Sequence, residues 1–210
     1  MNQTALIHGD CMEYMARCED KFFDLAIVDP PYGIVRFGNR VESSNRVCGS
    51  AKLNSWDVKP SAEYFDELFR ISEKQIIWGA NNFSLPSTEY FIIWNKQQTV
   101  KNFASAEYAW TSIKQPAQVF THSIHKCMAT RKAEGGKIHP TQKPVSLYKW
   151  LLNNYAKPGQ RILDTHLGSG SSAIAAHYFG CDFVGIEIDE DYHKAAKGRF
   201  DKSTRQLALF

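Results

Sequence analysis

The sequence predicts an α/β protein whose core is a doubly wound, mostly parallel sheet of seven strands with an antiparallel edge hairpin. Three observations support this. Short apolar runs alternate with stretches of helical periodicity. Two of those runs, Phe23–Val28 and Arg161–Asp164, end in turn-forming residues that open into loops, as buried parallel strands do. Two later runs, Tyr90–Trp94 and Glu107–Ile113, are close enough in sequence to pair antiparallel at an edge.

In chain order, Thr4–His8 reads as a strand. Asp10 then opens a short helix, with Glu13 at capping-box spacing. After Phe23–Val28 comes a polar stretch to Lys59, rich in Ser, Asn, Gly and Arg and without a core pattern. Ser61 is placed to cap a helix whose Phe65, Leu68 and Phe69 share one face, leading into a strand at Gln75–Trp78. The hairpin runs follow, and then a polar, basic segment, Lys114–Lys137. A helix after Pro144 buries Leu147, Trp150 and Leu151 and stops at Pro158-Gly159. Arg161–Asp164 and Asp182–Ile188 are the last strands, separated by a helix over Ser171–Phe179 that Gly180 terminates.

A length of 210 residues suits one domain, 1–210, with a buried core. No apolar run is long enough to span a bilayer, and Met1–Asp10 lacks the regions of a secretory signal, so a cytoplasmic protein without membrane contact is expected. Five cysteines without a CxxC pair fit reduced thiols. His122, His125 and Cys127 lack a fourth ligand, so no metal is expected.

The net charge of +3 is unevenly spread. Two inserted loops, 34–59 and 114–137, concentrate basic residues, and Arg36, Arg40, Arg46, Arg131 and Lys132 are candidate phosphate or base contacts on nucleic acid. Solvated loops would carry the same charges.

The most informative motif is Asp29-Pro30-Pro31-Tyr32, where a buried strand ends. In open parallel sheets that edge is where ligands bind. Two prolines stiffen the segment and free its carbonyls from any ladder. The Asp29 carboxylate and the Pro30 carbonyl can then both accept hydrogen bonds from one amino group and aim its lone pair at an electrophilic methyl, so that positioning replaces a strong base. Tyr32 offers a face for stacking an extruded base. The same residues also make an ordinary tight turn.

A second motif runs from Asp164 to Ser171, again from strand end to helix start. Gly168 and Gly170, with Ser169 between them, let a ligand approach the backbone. Gly168, Gly170 and Ala173 also satisfy the dinucleotide-binding spacing, although Thr165, His166 and Leu167 intervene between the strand end at Asp164 and the first glycine. Glu187 ends its own strand and can hold two ribose hydroxyls; a dinucleotide-dependent oxidoreductase therefore remains a competing class.

Taken together the chain resembles the permuted, β-class DNA amino-methyltransferases, in which a D-P-P-Y motif comes first, a target-recognition segment lies between, and a D-P-F-x-G-S-G-T loop comes late. Here Asp29–Tyr32, His139-Pro140-Thr141-Gln142-Lys143-Pro144, Asp164–Ser171 and Gly185–Asp189 stand in that order across nearly the whole chain. The resemblance implies a circularly permuted, Rossmann-like methyltransferase sheet and S-adenosylmethionine as cofactor. It implies catalysis by Asp29, Pro30, Pro31 and Tyr32 on a base flipped out of double-stranded DNA. Cofactor contacts fall on Asp10, Cys11, Asp29, Thr141, Lys143, Asp164, His166, Gly168, Ser169, Gly170, Ser171 and Glu187, with the 139–144 string lining the methionine end. Thr165 and His166 replace the family's usual proline and phenylalanine.

Asp rather than Ser before the diproline favours the 6-amino group of adenine, the alternatives being the 4-amino group of cytosine or a noncatalytic DNA-binding relative. The last residues, Gln206, Leu207, Leu209 and Phe210 among them, resemble the peptide with which replication and repair proteins dock on the sliding clamp. A homodimer is one assembly this reading admits.

Overall fold

The computed structural model describes residues 2–33, 58–98, 101, 104–123 and 136–205. In chain order these form β1 (Thr4–His8), α1 (Cys11–Met15), β2 (Phe23–Val28), α2 (Ala62–Ile71), β3 (Ser72–Trp78), a 3-10 turn (Ala80–Asn82), β4 (Phe91–Asn95), β5 (Ala106–Thr111), β6 (Gln118–Thr121), α3 (Val145–Tyr155), β7 (Arg161–Asp164), α4 (Ser171–Phe179), β8 (Asp182–Glu187) and α5 (Glu190–Thr204).

The strands make one sheet in the order β1-β8-β7-β2-β3-β5-β4-β6. Neighbours from β1 through β3 run parallel, β5 lies antiparallel to both β3 and β4, and β6 runs parallel to β4. The sheet thus has eight strands, one more than expected. β6 falls inside the segment read as polar loop. It pairs along β4, so the β4–β5 hairpin is one strand in from the edge.

The central strands carry continuous buried apolar runs, Leu25–Val28 in β2, Ile76–Trp78 in β3 and Ile162–Leu163 in β7, because both faces are covered there. Leu25 and Ile27 of β2 join Ile162 and Phe183 under α3 and α4. Ala26 and Val28 point the other way, with Leu163 and Ile186, into a second cluster built on Tyr64, Phe65, Leu68 and Ile71 of α2 and on Met15.

Helix boundaries follow local chemistry. The Asp10 carboxylate accepts from the Met12 N–H at 2.7 Å and caps α1. Asp189 does the same for α5, accepting from Asp191 and Tyr192. Sequence periodicity did not anticipate α5, which buries only Ala196 and Arg199. No helix among the described residues is long and apolar enough to cross a membrane.

The connections position a site. From β7 the chain passes through α4 to β8 on one side, whereas from β2 it passes through α2 to β3 on the other. The adjacent strands β7 and β2 therefore diverge, and a crevice opens beyond their carboxyl ends. Asp164 ends β7 and Asp29 follows β2, so both expected motifs flank that crevice.

Candidate active site

Asp29 leaves β2 with both carboxylate oxygens engaged. The Tyr32 hydroxyl donates to Oδ1 at 2.6 Å, and the Lys143 ammonium pairs with Oδ2. Burial, the largest influence on Tyr32, raises its pKa, and the neighbouring Asp29 and Glu107 charges act the same way; the phenol is therefore a neutral donor. The Tyr32 ring meets Phe83 edge-on and lies directly against the backbone of Gly79, which follows β3 with φ +66°. Only glycine leaves room for the ring there: a Cβ would come within 2.0 Å of Tyr32 Cε1.

The glycine loop is held from within. Asp164 accepts from the His166 N–H at 3.1 Å and from the Ser172 hydroxyl at 2.6 Å. Burial pushes its pKa up to about 7, so Asp164 shapes the loop. Gly168 and Gly170 take left-handed conformations, φ +52° and +70°. The Gly168 N–H donates to Glu187 Oε2 at 2.8 Å, and the Asp189 N–H donates to Oε1 at 3.0 Å. Each Glu187 oxygen keeps a second lone-pair direction for a ligand hydroxyl. Behind the loop, buried Arg199 of α5 donates to the Ser169 carbonyl at 2.7 Å and the Ser171 hydroxyl at 2.9 Å, and that hydroxyl donates to the Lys143 carbonyl at 2.8 Å.

These groups surround one cavity of about 370 Å³. Of the residues singled out in the sequence, Asp29, Pro30, Pro31, Tyr32, Thr141, Lys143, His166, Gly168, Ser169 and Glu187 line it. Asp164, Gly170 and Ser171 sit just behind them in the loop. Asp10 and Cys11 do not line the cavity but follow Gly9, whose N–H donates to the Glu187 carbonyl at 3.0 Å. Asp10 is exposed and caps α1, while burial raises the Cys11 thiol to about 12. Arg36, Arg40, Arg46, Arg131 and Lys132 lie outside the described residues, as do His125, Cys127 and the terminal Gln206, Leu207, Leu209 and Phe210. Among the described residues no cluster of His, Cys, Asp or Glu is arranged to hold a metal ion.

Sequence reasoning passed over three residues that line the cavity: Lys96, Glu107 and Tyr148. A carboxylate at the second position of β5, opposite Trp94 of β4, was the available signal for Glu107. Its pairing with Lys96 and Lys143 depends on contacts between distant segments.

Thr165 and His166 form a local unit with α2. The Tyr64 hydroxyl is 2.6 Å from Thr165 Oγ1, which is 2.9 Å from His166 Nδ1, and the His166 ring meets Tyr64 edge-on with centroids 5.4 Å apart. An imidazole thus lies on the cavity wall where the family pattern puts a phenyl ring.

Burial lowers the pKa of His166 to about 4, and burial followed by the Lys143 charge does the same for His139. A depressed histidine stabilises the fold above its ordinary value near 6.5, and that stability is lost as pH falls through 4. Asp164, raised to about 7, works in the opposite direction and softens the loss. For half-buried His166 the contribution at pH 5 is about 1 kcal/mol after solvent screening. Replacing His166 by Phe should therefore shrink the drop in melting temperature between pH 7 and pH 5 by about 3 °C. Thermal unfolding at the two pH values tests this, and an unchanged drop counts against it.

The chain is similar to known DNA methylases. Residues 74–198, more than half of the chain, match the N6/N4 DNA methylase family. The Asp29–Tyr32 corner precedes the matched segment. YubD of Escherichia coli (strain K12) is 26% identical over 220 residues, covering 97% of this chain and 93% of its own length. Among solved structures, the M1.HpyAVI–SAM complex superposes with a TM-score of 0.60 at 18% identity, over 94% of this chain and 100% of that one. The cytosine-N4-specific PvuII DNA methyltransferase gives a TM-score of 0.62 at 13% identity, over 100% of this chain and 89% of that one. These two likenesses concern the fold.

Proposed function

Because the chain belongs to the N6/N4 DNA methylase family, we propose that it moves a methyl group from S-adenosylmethionine to the 6-amino group of an adenine flipped out of double-stranded DNA. The observation that carries this is the convergence of the Asp29 and Glu187 carboxylates on one cavity at the diverging ends of β2 and β7. The order of the strands supports a permuted chain that begins three strands out from the centre, with the glycine-loop strand β7 late in sequence and central in the sheet.

The residues present fit the cofactor. Glu187 retains lone pairs for a ribose diol, and Gly168 and Ser169 put bare backbone on the cavity wall. The bound cofactor supplies an electrophilic methyl carbon on sulfonium. The rest falls to the chain's own groups. Asp29 and the Pro30 carbonyl accept hydrogen bonds from the two amino N–H groups and turn the nitrogen lone pair towards the crevice, and Tyr32 stacks on the extruded ring. Extrusion is required because a paired base hides its amino group within the duplex. Loops 34–59 and 114–137 supply the DNA grip in this reading, and 206–210 a docking peptide, all within one domain.

Two measurements test the proposal. Calorimetric titration with S-adenosylmethionine should show one-site binding; no binding would favour a noncatalytic DNA-binding protein. Mass and sequence mapping of DNA from cells expressing the chain should show N6-methyladenine at a fixed sequence context. N4-methylcytosine instead would reassign the base, and unmodified DNA would overturn the proposal.

A further inference from the structure

Lys143 is a buried cation between two carboxylates. Its side chain is 4% exposed, and its ammonium pairs with Asp29 Oδ2 and lies 3.1 Å from Glu107 Oε2; the other Glu107 oxygen pairs with Lys96. From the diproline corner outward the charges therefore alternate: Asp29, Lys143, Glu107, Lys96. The four residues come from the loop after β2, the strap before α3, the start of β5 and the residue just after β4. Burial, the largest influence on Lys143, opposes its charge, yet Asp29 and Glu107 together raise its pKa well above the ordinary value, so it stays an ammonium.

We propose that Lys143, balanced by Glu107, is a positioning residue for methyl transfer: it holds Asp29 in place as the acceptor for the target amine, and Glu107 cancels its charge. This rests on the methyl-transfer reading above. As the target nitrogen's lone pair closes the new N–C bond, the C–S pair stays with sulfur, and the nitrogen is positive until one N–H proton passes to Asp29. An unbalanced ammonium beside that nitrogen would oppose the step, and Glu107 removes the opposition. Without Lys143, the Asp29 and Glu107 carboxylates would face each other across the vacated space; one would take up a proton and the acceptor would be lost.

The experiment compares wild type, Lys143→Met, Glu107→Gln and the double variant. Single-turnover methylation of amplified, unmodified genomic DNA at saturating S-adenosylmethionine is read alongside the calorimetric Kd for the cofactor. Lys143→Met should slow transfer about 100-fold and Glu107→Gln about 10-fold, each with Kd within about twofold of wild type. The double variant should be about 10-fold faster than Lys143→Met alone, because removing the second carboxylate relieves the repulsion. Simple packing roles would make the two losses multiply. A weakened Kd with an unchanged saturated rate would mean that Lys143 serves the cofactor, and would overturn the proposal, as would multiplicative losses. Should Lys143→Met fail to fold, the isosteric Glu107→Gln decides, since an unchanged rate there refutes the balancing role. Wild-type chain that leaves this DNA unmethylated while binding the cofactor overturns the parent reading and this proposal with it.

Discussion

Replacing Asp29 by Ala should slow methyl transfer by about 10³-fold or more while leaving the Kd for S-adenosylmethionine within about twofold. The side chain touches Tyr32 and Lys143, whereas Glu187, proposed to hold the cofactor ribose, is bonded to Gly168 and Asp189; the two carboxylates share a cavity but none of these partners. Without the carboxylate the target nitrogen loses its fixed acceptor, and its lone pair stays conjugated with the ring. A positioned hydrogen-bonding group of this kind is worth two to three decades in rate, and loss of orientation adds to that. Stability should fall as well, because among the described residues Lys143 keeps Glu107 alone as counter-ion. About 3 kcal/mol is expected for a broken buried pair, or about 6–12 °C in melting temperature for a chain of this size. Asp29→Asn preserves shape and one acceptor oxygen, so its rate should fall between wild type and Ala. Single-turnover assays, calorimetry and thermal unfolding separate these effects, and an Ala variant within tenfold of the wild-type rate would refute the assigned role.

What could be read from the sequence, and what could not, follows from how far apart the interacting residues are. Strands covered on both faces carry continuous apolar runs, so Leu25–Val28 and Phe183–Ile186 stand out without any structure. Because connections that diverge at the sheet centre create a crevice, the strand ends next to Asp29 and Asp164 also marked the site. Gln118–Thr121 was missed because only Phe120 is even half-buried, and such an outer strand shows no period. α5 was missed for the same reason: it presents a largely polar surface and inserts a single arginine behind the glycine loop. The pairing of Lys143 with Asp29 joins residues 114 positions apart, and local pattern carries no trace of it. The 139–144 string is read from resemblance as cofactor lining; in the fold His139, Thr141, Gln142 and Lys143 line the cavity, and the lysine ammonium also pairs with Asp29.

A Gly79→Ala chain should lose about 100-fold in transfer rate without contacting either ligand. The position carries φ +66°, where a β-carbon costs about 1 kcal/mol, and the backbone has little room to adjust. Its N–H donates to the Tyr108 carbonyl at 2.9 Å, and its carbonyl accepts from the Asn82 N–H at 2.9 Å. The new methyl would fall 2.0 Å from Tyr32 Cε1 and 2.2 Å from Cζ, inside any allowed contact, so the ring has to leave. Its hydroxyl then releases Asp29 Oδ1, and the face proposed for base stacking moves with it. The backbone penalty alone cannot produce this result, and Gly159 supplies the control: φ there is +82°, and a β-carbon meets nothing within 4 Å. Gly159→Ala should therefore lower the melting temperature by a similar few degrees and leave the transfer rate unchanged. Cofactor affinity should hold in both variants, because neither glycine borders the Glu187 side of the cavity. If Gly79→Ala transferred methyl at the normal rate, the resting Tyr32–Asp29 bond would have no part in catalysis, and the stacking role assigned to that ring would have to be given up.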